Sequence, residues 1–303
     1  MPEAGEAQST GTASADGPFI PMFEAFRDEL NDHYDRRERI FKTARDITAL
    51  SKKMYRASSP ILLLWLYMLT SSAEFFHFKG RTRMEPFPNR VAVETEKQLA
   101  AVDGLFHSLS EDLCGINSWR YQRQISSGIQ EYIEAISLQR YLQSQALITP
   151  EEASASIVGG VQLTEEDYIM GIFDLVGELM RFGITAMATT GSLPGDQMSG
   201  LISEDDPDVS DQQKLPKSNI LTDLRSLRSC FETLNTLSSD GHFARHFSRK
   251  SEVMRKCVEK VESAVYGIIV RGRERPKGWV PDVLGAGFRG SGRDSSDDLT
   301  LPV

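Results

Sequence analysis

Apolar residues recur at steps of three and four along most of this chain, and that spacing constrains its fold more than any other feature. From Ile20 to about Arg56 they alternate with charged residues for about ten helical turns. The same periodicity returns over residues 91–113, 117–142, 165–184, 220–237 and 248–270. No segment shows the two-residue alternation of a half-buried strand, and strands do not alternate with helices. The sequence therefore predicts an all-α protein, a single-domain bundle of about six to seven long helices.

Changes in composition set the limits of this domain. Residues 20–284 form the predicted helical domain, and the polar stretches 1–19 and 285–303 are predicted disordered tails. Residues 57–90 combine a proline, an apolar run and an aromatic cluster, which predicts an irregular insertion that is at most partly helical. Residues 185–218 are rich in Gly, Ser, Pro and acid, which predicts a flexible acidic surface loop.

The net charge of −9 excludes a protein that binds nucleic acid through an overall basic surface. The first residues lack the basic and apolar regions of a signal peptide, and the apolar run at 60–69 is about half as long as a membrane-spanning helix requires. The three cysteines are far apart and have no metal-ligand spacing, so they are predicted to be reduced thiols. We expect a cytoplasmic and nuclear protein, although no basic nuclear-localisation run is evident.

Two carboxylate pairs stand on unusually apolar helices. Glu131 and Glu134 are three residues apart, and Asp174 and Glu178 are four apart, so each pair lies on one face of its helix. Carboxylates that converge in an apolar setting need a positive charge, and they supply the oxygen ligands that Mg²⁺ or Mn²⁺ prefers. Such an ion could activate a water for phosphodiester hydrolysis, which makes these helices the candidate catalytic site.

Other interpretations of these acids remain open. Carboxylates at this spacing are commonly solvated, Glu178 could pair with Arg181, and Glu131 could pair with an arginine of a neighbouring helix. No histidine follows any of the acids by three residues, which disfavours a di-iron site. Gly171 and Gly177 have no side chain, so they would let a backbone or a substrate approach the helix that carries Asp174 and Glu178.

Two basic segments are candidates for contact with a phosphate backbone, one at 35–45 and one at the start of the last helix. Tyr34 or Phe41 could stack a base beside the first. The alternative is a solvated helix face with ion pairs one turn apart, and Tyr34 and Phe41 fit the core stripe of the helix equally well. The candidate nucleic-acid-binding residues are Arg36, Arg37, Lys42, Arg45, Arg249 and Lys250.

Four segments resemble the translin family in the same order: FRDELNDHYDRRERIFKTARDITALSKK, ISSGIQEYIEAISLQRYL, DYIMGIFDLVGELMR and VEKVESAVYGIIVRGRERPKGWVPDVL. The resemblance implies an all-helical subunit that joins translin in a closed hetero-oligomer, commonly an octamer. It further implies Mg²⁺-dependent cleavage of single-stranded RNA, in the removal of passenger strands or the trimming of transfer-RNA precursor fragments. By this resemblance Glu131, Glu134 and Asp174 bind the metal, and Glu178 is an auxiliary acid.

Two rival functions are consistent with the same sequence. One is a non-catalytic partner that stabilises translin and modulates its binding of RNA or single-stranded DNA, with its acids held in ion pairs. The other is a general helical scaffold for other proteins. A membrane function is not expected.

Overall fold

The computed structural model describes residues 19–71, 89–190, 193, 219–234 and 241–271. Within these ranges the chain forms eight helices and no strand, so the all-α prediction is confirmed. Six of the eight are long, and α3 and α5 are short connecting helices. The helices are α1 (Ile20–Ser71), α2 (Asn89–Ser108), α3 (Ile116–Arg120), α4 (Gln122–Ser144), α5 (Pro150–Ser156), α6 (Glu165–Thr190), α7 (Ile220–Thr233) and α8 (His242–Arg271).

Helix α4 is the centre of the bundle. It packs against α1 on one side and α6 on the other, and its residues from Tyr132 to Leu138 are all buried. α2 covers α1, while α8 covers α6 and carries α7. Burial on all sides over this stretch explains why it is rich in Ile, Tyr and Leu where an outer helix would alternate with charges.

Capping residues fix where two of the helices begin. Thr149 accepts a hydrogen bond from the Glu152 backbone, and the Glu152 carboxylate accepts one from the Thr149 backbone, which completes a capping box before Pro150. Thr164 accepts a hydrogen bond from the backbone N–H of Asp167 at the start of α6. α6 begins at Glu165, as its periodicity predicted.

Several predicted boundaries differ from those observed. α1 continues as helix through Ser71, well into the predicted insertion at 57–90, and α2 begins at Asn89. α6 extends to Thr190, so the helix occupies the first residues of the predicted loop at 185–218. The remainder of both stretches, apart from Leu193, lies outside the described residues, as do both predicted tails except for residue 19. No helix in the described part of the chain is long and apolar enough to cross a membrane.

Two glycines allow α4 to approach its neighbours closely. A Cβ added at Gly128 would lie 3.0 Å from the carbonyl oxygen of Ala44 on α1. A Cβ added at Gly171 on α6 would lie 2.8 Å from the Cβ of Ile133 and 2.9 Å from the carbonyl oxygen of Gln130. The predicted close approach at Gly171 is therefore a contact between two helices of this chain.

We expect Gly171→Ala to lower the free energy of unfolding by about 1–3 kcal/mol, because the added methyl group forces α6 away from α4. Gly177 is the matched control, since a Cβ there meets nothing within 4 Å. At that half-buried helical position, where an added Cβ has room, alanine should stabilise by up to about 1 kcal/mol through its better helix propensity. Urea unfolding followed by circular dichroism measures both effects, and equal shifts in the same direction would contradict the packing argument.

Candidate functional site

The two carboxylate pairs lie where α4 and α6 are closest. Glu134 follows Ile133, the residue that contacts Gly171, and Asp174 lies one turn beyond Gly171 on α6. Glu131 lies one turn before Glu134. The close packing at Gly171 therefore brings carboxylates of two helices to one place in the bundle.

Glu134 is the most buried of these acids. Its exposed fraction is 6%, and no side chain or backbone group of the described residues donates a hydrogen bond to it. Burial, and then the negative charges of Asp174 and Glu131, raise the pKa of Glu134 to about 8, while Arg181 and Lys250 oppose the shift. Glu134 is therefore mostly protonated at neutral pH in the metal-free protein.

Lysines from two further helices face the other acids. Lys52 Nζ on α1 lies 2.8 Å from Glu131 Oε1, and Lys250 on α8 pairs with Asp174. The second oxygen of Glu131, Oε2, is buried without a hydrogen-bond partner. Sequence reasoning missed Lys52, because only the packing of α1 on α4 places it beside an acid that is far away in sequence.

Glu178 pairs with Arg181 one turn along the same helix. This is one of the ion pairs that the sequence allowed. Glu178 is the only one of the four acids whose partner lies on its own helix among the described residues, and the charges that raise the pKa of Glu134 most are those of Asp174 and Glu131. The structure therefore joins Glu131, Glu134 and Asp174 into one electrostatic cluster and leaves Glu178 beside it.

One observation argues against a divalent cation at this cluster, and another argues for it. In the described residues no group of three or more His, Cys, Asp or Glu side chains is already arranged to hold a metal ion. The donor chemistry nevertheless fits a hard cation, because Glu134 has no counter-charge in contact and Glu131 Oε2 has no donor. The carboxylates present would hold such an ion once Lys52 and Lys250 turn away from them.

The predicted nucleic-acid-binding residues divide into two groups. Arg36 and Lys250 are engaged inside the protein, since Arg36 Nε lies 3.4 Å from Asp112 Oδ1 and Lys250 pairs with Asp174. The other four side chains are exposed, and Arg45 lies 4.3 Å above the ring of Phe41. These exposed residues are Arg37, Lys42, Arg45 and Arg249.

Asp112, in the turn before α3, holds part of the basic face of α1 in place. Arg39 Nη2 lies 2.7 Å from Asp112 Oδ1, and this hydrogen bond is the largest cause of the lowered pKa of Asp112. Tyr34 and Phe41, seven residues apart on another face of α1, are 63% and 38% exposed. Their rings are accessible to a base, whereas a place in the core would have hidden them.

A second buried acid, Asp167, has a structural role that sequence reasoning missed. It is 2% exposed and accepts hydrogen bonds from Gln122 Nε2 at 2.8 Å, Gln130 Nε2 at 2.9 Å, Thr164 Oγ1 at 2.8 Å and the hydroxyl of Ser126. Three of these donors are four residues apart on α4. That polar stripe on an otherwise apolar helix was the signal in the sequence that could have identified the contact.

The fold and the site together define an all-helical bundle with a partly buried carboxylate cluster where four of its helices meet. The chain belongs to the translin family, whose profile matches residues 35–272.

Curated relatives agree with this assignment over most of the chain. Translin-associated protein X of Rattus norvegicus is 26% identical over 297 residues, covering 90% of this chain and 86% of the relative. Translin-associated protein X homolog of Schizosaccharomyces pombe is 27% identical over 250 residues, covering 82% of this chain and 87% of the relative. A solved structure, the crystal structure of apo-NeC3PO, matches 84% of this chain and 100% of its own with a TM-score of 0.51. At 16% identity that likeness concerns the fold alone.

Proposed function

We propose that this chain is the hydrolytic subunit of a metal-dependent endoribonuclease that cleaves single-stranded RNA in a hetero-oligomer with translin. The observation that supports this most is Glu134, a buried carboxylate without a counter-ion in contact, flanked by the charges of Glu131 and Asp174. An arrangement of this kind is unfavourable for a bundle that only needs to fold. It is favourable where a cation is to be bound.

In this proposal Glu131, Glu134 and Asp174 hold Mg²⁺, or Mn²⁺ with the same oxygen ligands. A bound ion would lower the pKa of a water and stabilise the charge that develops on the phosphodiester. Glu134 releases its proton when the ion binds, and Glu178 keeps Arg181 at the edge of the site. Lys52 and Lys250 neutralise the cluster in the metal-free protein.

Assembly with translin is supported by the names of the relatives, which describe them as translin-associated. The exposed basic side chains on α1 and α8 are the groups that would meet the RNA backbone, and single-stranded DNA has the same phosphate chemistry. Passenger-strand removal and trimming of transfer-RNA precursor fragments are the proposed roles. A cytoplasmic and nuclear location is part of the proposal and agrees with the free Cys114, Cys230 and Cys257.

The non-catalytic partner is the second candidate, and the lysine pairs favour it. Lys52 with Glu131 and Lys250 with Asp174 neutralise two of the three clustered acids without any metal. In this alternative the pairs join α1 to α4 and α8 to α6, and the chain acts on nucleic acid only through translin.

Cleavage of a labelled single-stranded RNA separates the two functions. The chain is co-expressed with translin, and cutting is measured in Mg²⁺ and in EDTA for the wild type and for Glu131→Ala/Glu134→Ala. We expect Mg²⁺-dependent cutting that falls by at least about 100-fold in the variant, because its metal ligands are removed. Glu165→Ala/Glu166→Ala, which removes two exposed acids at the start of α6, is the matched control and should cut normally.

Assembly of each complex is confirmed by sedimentation velocity before cutting is compared. Equal cutting by the wild type and by the Glu131→Ala/Glu134→Ala variant would reject the proposed active site. No Mg²⁺-dependent cutting by the wild type in an assembled complex would favour the non-catalytic partner.

A further inference from the structure

The first part of α1 extends beyond the rest of the bundle. Every residue from 19 to 32 is exposed. Among the described residues, the first hydrogen bond from α1 to another part of the bundle is made by His33, whose Nδ1 lies 2.5 Å from the hydroxyl of Tyr121, between α3 and α4. At 1.5 Å per residue the preceding part of α1 is an overhang of about 20 Å.

The overhang carries an apolar seam that continues the buried seam of the same helix. In the bundle, α1 buries Ile40, Ala44, Ile47, Ser51 and Met54, which follow a seven-residue repeat. The same steps of three and four residues, continued from Ile40 toward the start of α1, pass through Arg37 and His33. They then reach only exposed apolar residues. The residues of this exposed seam are Phe19, Phe23, Phe26 and Leu30, which are 65%, 64%, 51% and 67% exposed.

Exposed rings of this size in one row are typical of an interaction surface, because single exposed apolar residues are common but contiguous rows are not. Phe23 and Phe26 are in contact with each other, with ring centroids 6.2 Å apart, and touch no other ring of the described residues. The seam has the spacing that packs against another helix. An amphipathic helix is therefore the kind of element that fits it.

Two segments of the chain outside the described residues are excluded as that element by their length and composition. Residues 1–18 contain no aromatic, Leu, Ile or Val residue and no base. Residues 72–88 span at most about 60 Å when extended. A path from Ser71 out to Leu30, itself about 60 Å along the helix, and back to Asn89 is longer than that.

The charge of the overhang argues against a second copy of this chain as the partner that covers the seam. Residues 19–32 carry four carboxylates and one arginine, and the arginine, Arg27, is paired with Asp28 at 3.3 Å. Two such overhangs packed together would bring like charges close. The surface calls for a partner helix that has an apolar row and basic neighbours.

We propose that the exposed seam of α1 is the docking surface for a basic amphipathic helix of the translin partner. This inference rests on the proposed association with translin, but it does not depend on the carboxylate cluster or on RNA cleavage. The apolar row supplies the buried area, and the net negative charge selects a basic partner over a second copy of this chain.

The test measures association of the full chain with translin by mass photometry on serial dilution, at 50 mM and 500 mM NaCl. Phe23→Ser/Phe26→Ser/Leu30→Ser should raise the dissociation constant at least about tenfold, because the seam supplies the apolar contact. Val253→Ser/Tyr266→Ser/Ile269→Ser removes residues of α8 that are 52%, 68% and 70% exposed and is the matched control, with no change expected.

A second variant tests the charge. Glu24→Lys/Glu29→Lys should weaken association and reverse its salt dependence, because the attraction to a basic helix is lost. Both sets of variants should keep the wild-type melting temperature, since the changed side chains are exposed.

Each outcome bears on the inference. Unchanged association of the seam variant would overturn it, whether the seam is covered by residues 272–303 or by nothing. Self-association of the wild-type chain that is lost in the seam variant would also overturn it, because the occupant would be a second copy. Failure of the wild-type chain to bind translin would reject both the docking surface and the proposed assembly. If the seam variant still binds translin and the complex still cleaves RNA, only the docking surface is rejected.

Discussion

Replacing Glu134 by glutamine is expected to stabilise the metal-free protein at alkaline pH, by about 2–4 kcal/mol near pH 9. Folding raises the pKa of this carboxyl from the ordinary 4.5 to about 8, so the folded protein holds a proton that the unfolded chain releases. The stability that this proton contributes is complete below pH 4.5 and is lost as the pH rises to 8. Glutamine stays neutral, so the difference between variant and wild type grows over that interval and is constant above it.

The measurement is urea unfolding in EDTA at pH 5, 6, 7, 8 and 9. Glu166→Gln, an exposed acid of α6, is the matched control and should follow the wild type at every pH. Adding Mg²⁺ at pH 7 should stabilise the wild type and not Glu134→Gln, because the amide is a poor replacement for a charged ligand. If the free energies of unfolding of Glu134→Gln and the wild type change in parallel with pH, the pKa of Glu134 is not raised by folding and the prediction is wrong.

Glu134→Gln is expected to have opposite effects on the stability of the metal-free protein and on its stabilisation by Mg²⁺. Such opposite effects are typical of a residue that binds a ligand at a cost in stability. Glu134→Gln should raise the stability of the metal-free protein while removing a proposed metal ligand. The clustered charge that destabilises the empty bundle is the same charge that would attract a cation. A gain in stability that accompanies a loss of metal-dependent stabilisation would support this relation.

The sequence was sufficient to predict the bundle but only part of the site. The spacing of Glu131, Glu134, Asp174 and Glu178 predicted which acids share a face, because helical geometry is local. Which faces then meet is a long-range matter, decided here by the close approach of Gly171 to α4. Sequence reasoning noted the small glycine but had no means to identify what it would touch.

The lysines beside the cluster and the length of α1 were harder to predict. Lys52 looked like one of many charges on an amphipathic helix, and Lys250 was assigned to RNA, whereas its observed contact is Asp174. Pro60 and the apolar run after it were interpreted as a break, yet α1 continues to Ser71. Proline is a strong statistical breaker, but it removes only one helical hydrogen bond and does not prevent a long helix from continuing.

Asp167→Ala is expected to lower the free energy of unfolding by about 3–5 kcal/mol, because it breaks a network of hydrogen bonds around a buried carboxylate. The carboxylate accepts hydrogen bonds from three side chains of α4 and from Thr164, so its removal takes the acceptor from four half-buried donors, of which Gln130 keeps a bond to Ser126. It also stands in the first turn of α6, where a negative charge interacts favourably with the helix dipole. Asp167→Asn should cost less, about 1–3 kcal/mol, since one carbonyl acceptor remains.

Glu166 provides the control for the dipole contribution. It lies in the same turn of α6 but is exposed, so Glu166→Ala removes a similar charge without opening the network and should cost no more than about 1 kcal/mol. The comparison is made by urea unfolding at pH 7. Equal losses for Glu166→Ala and Asp167→Ala would mean that the donors on α4 find other partners or water. A much larger loss for Asp167→Ala would mean that this carboxylate holds α6 on α4, the packing that also places Asp174 two turns and Glu178 three turns further along α6.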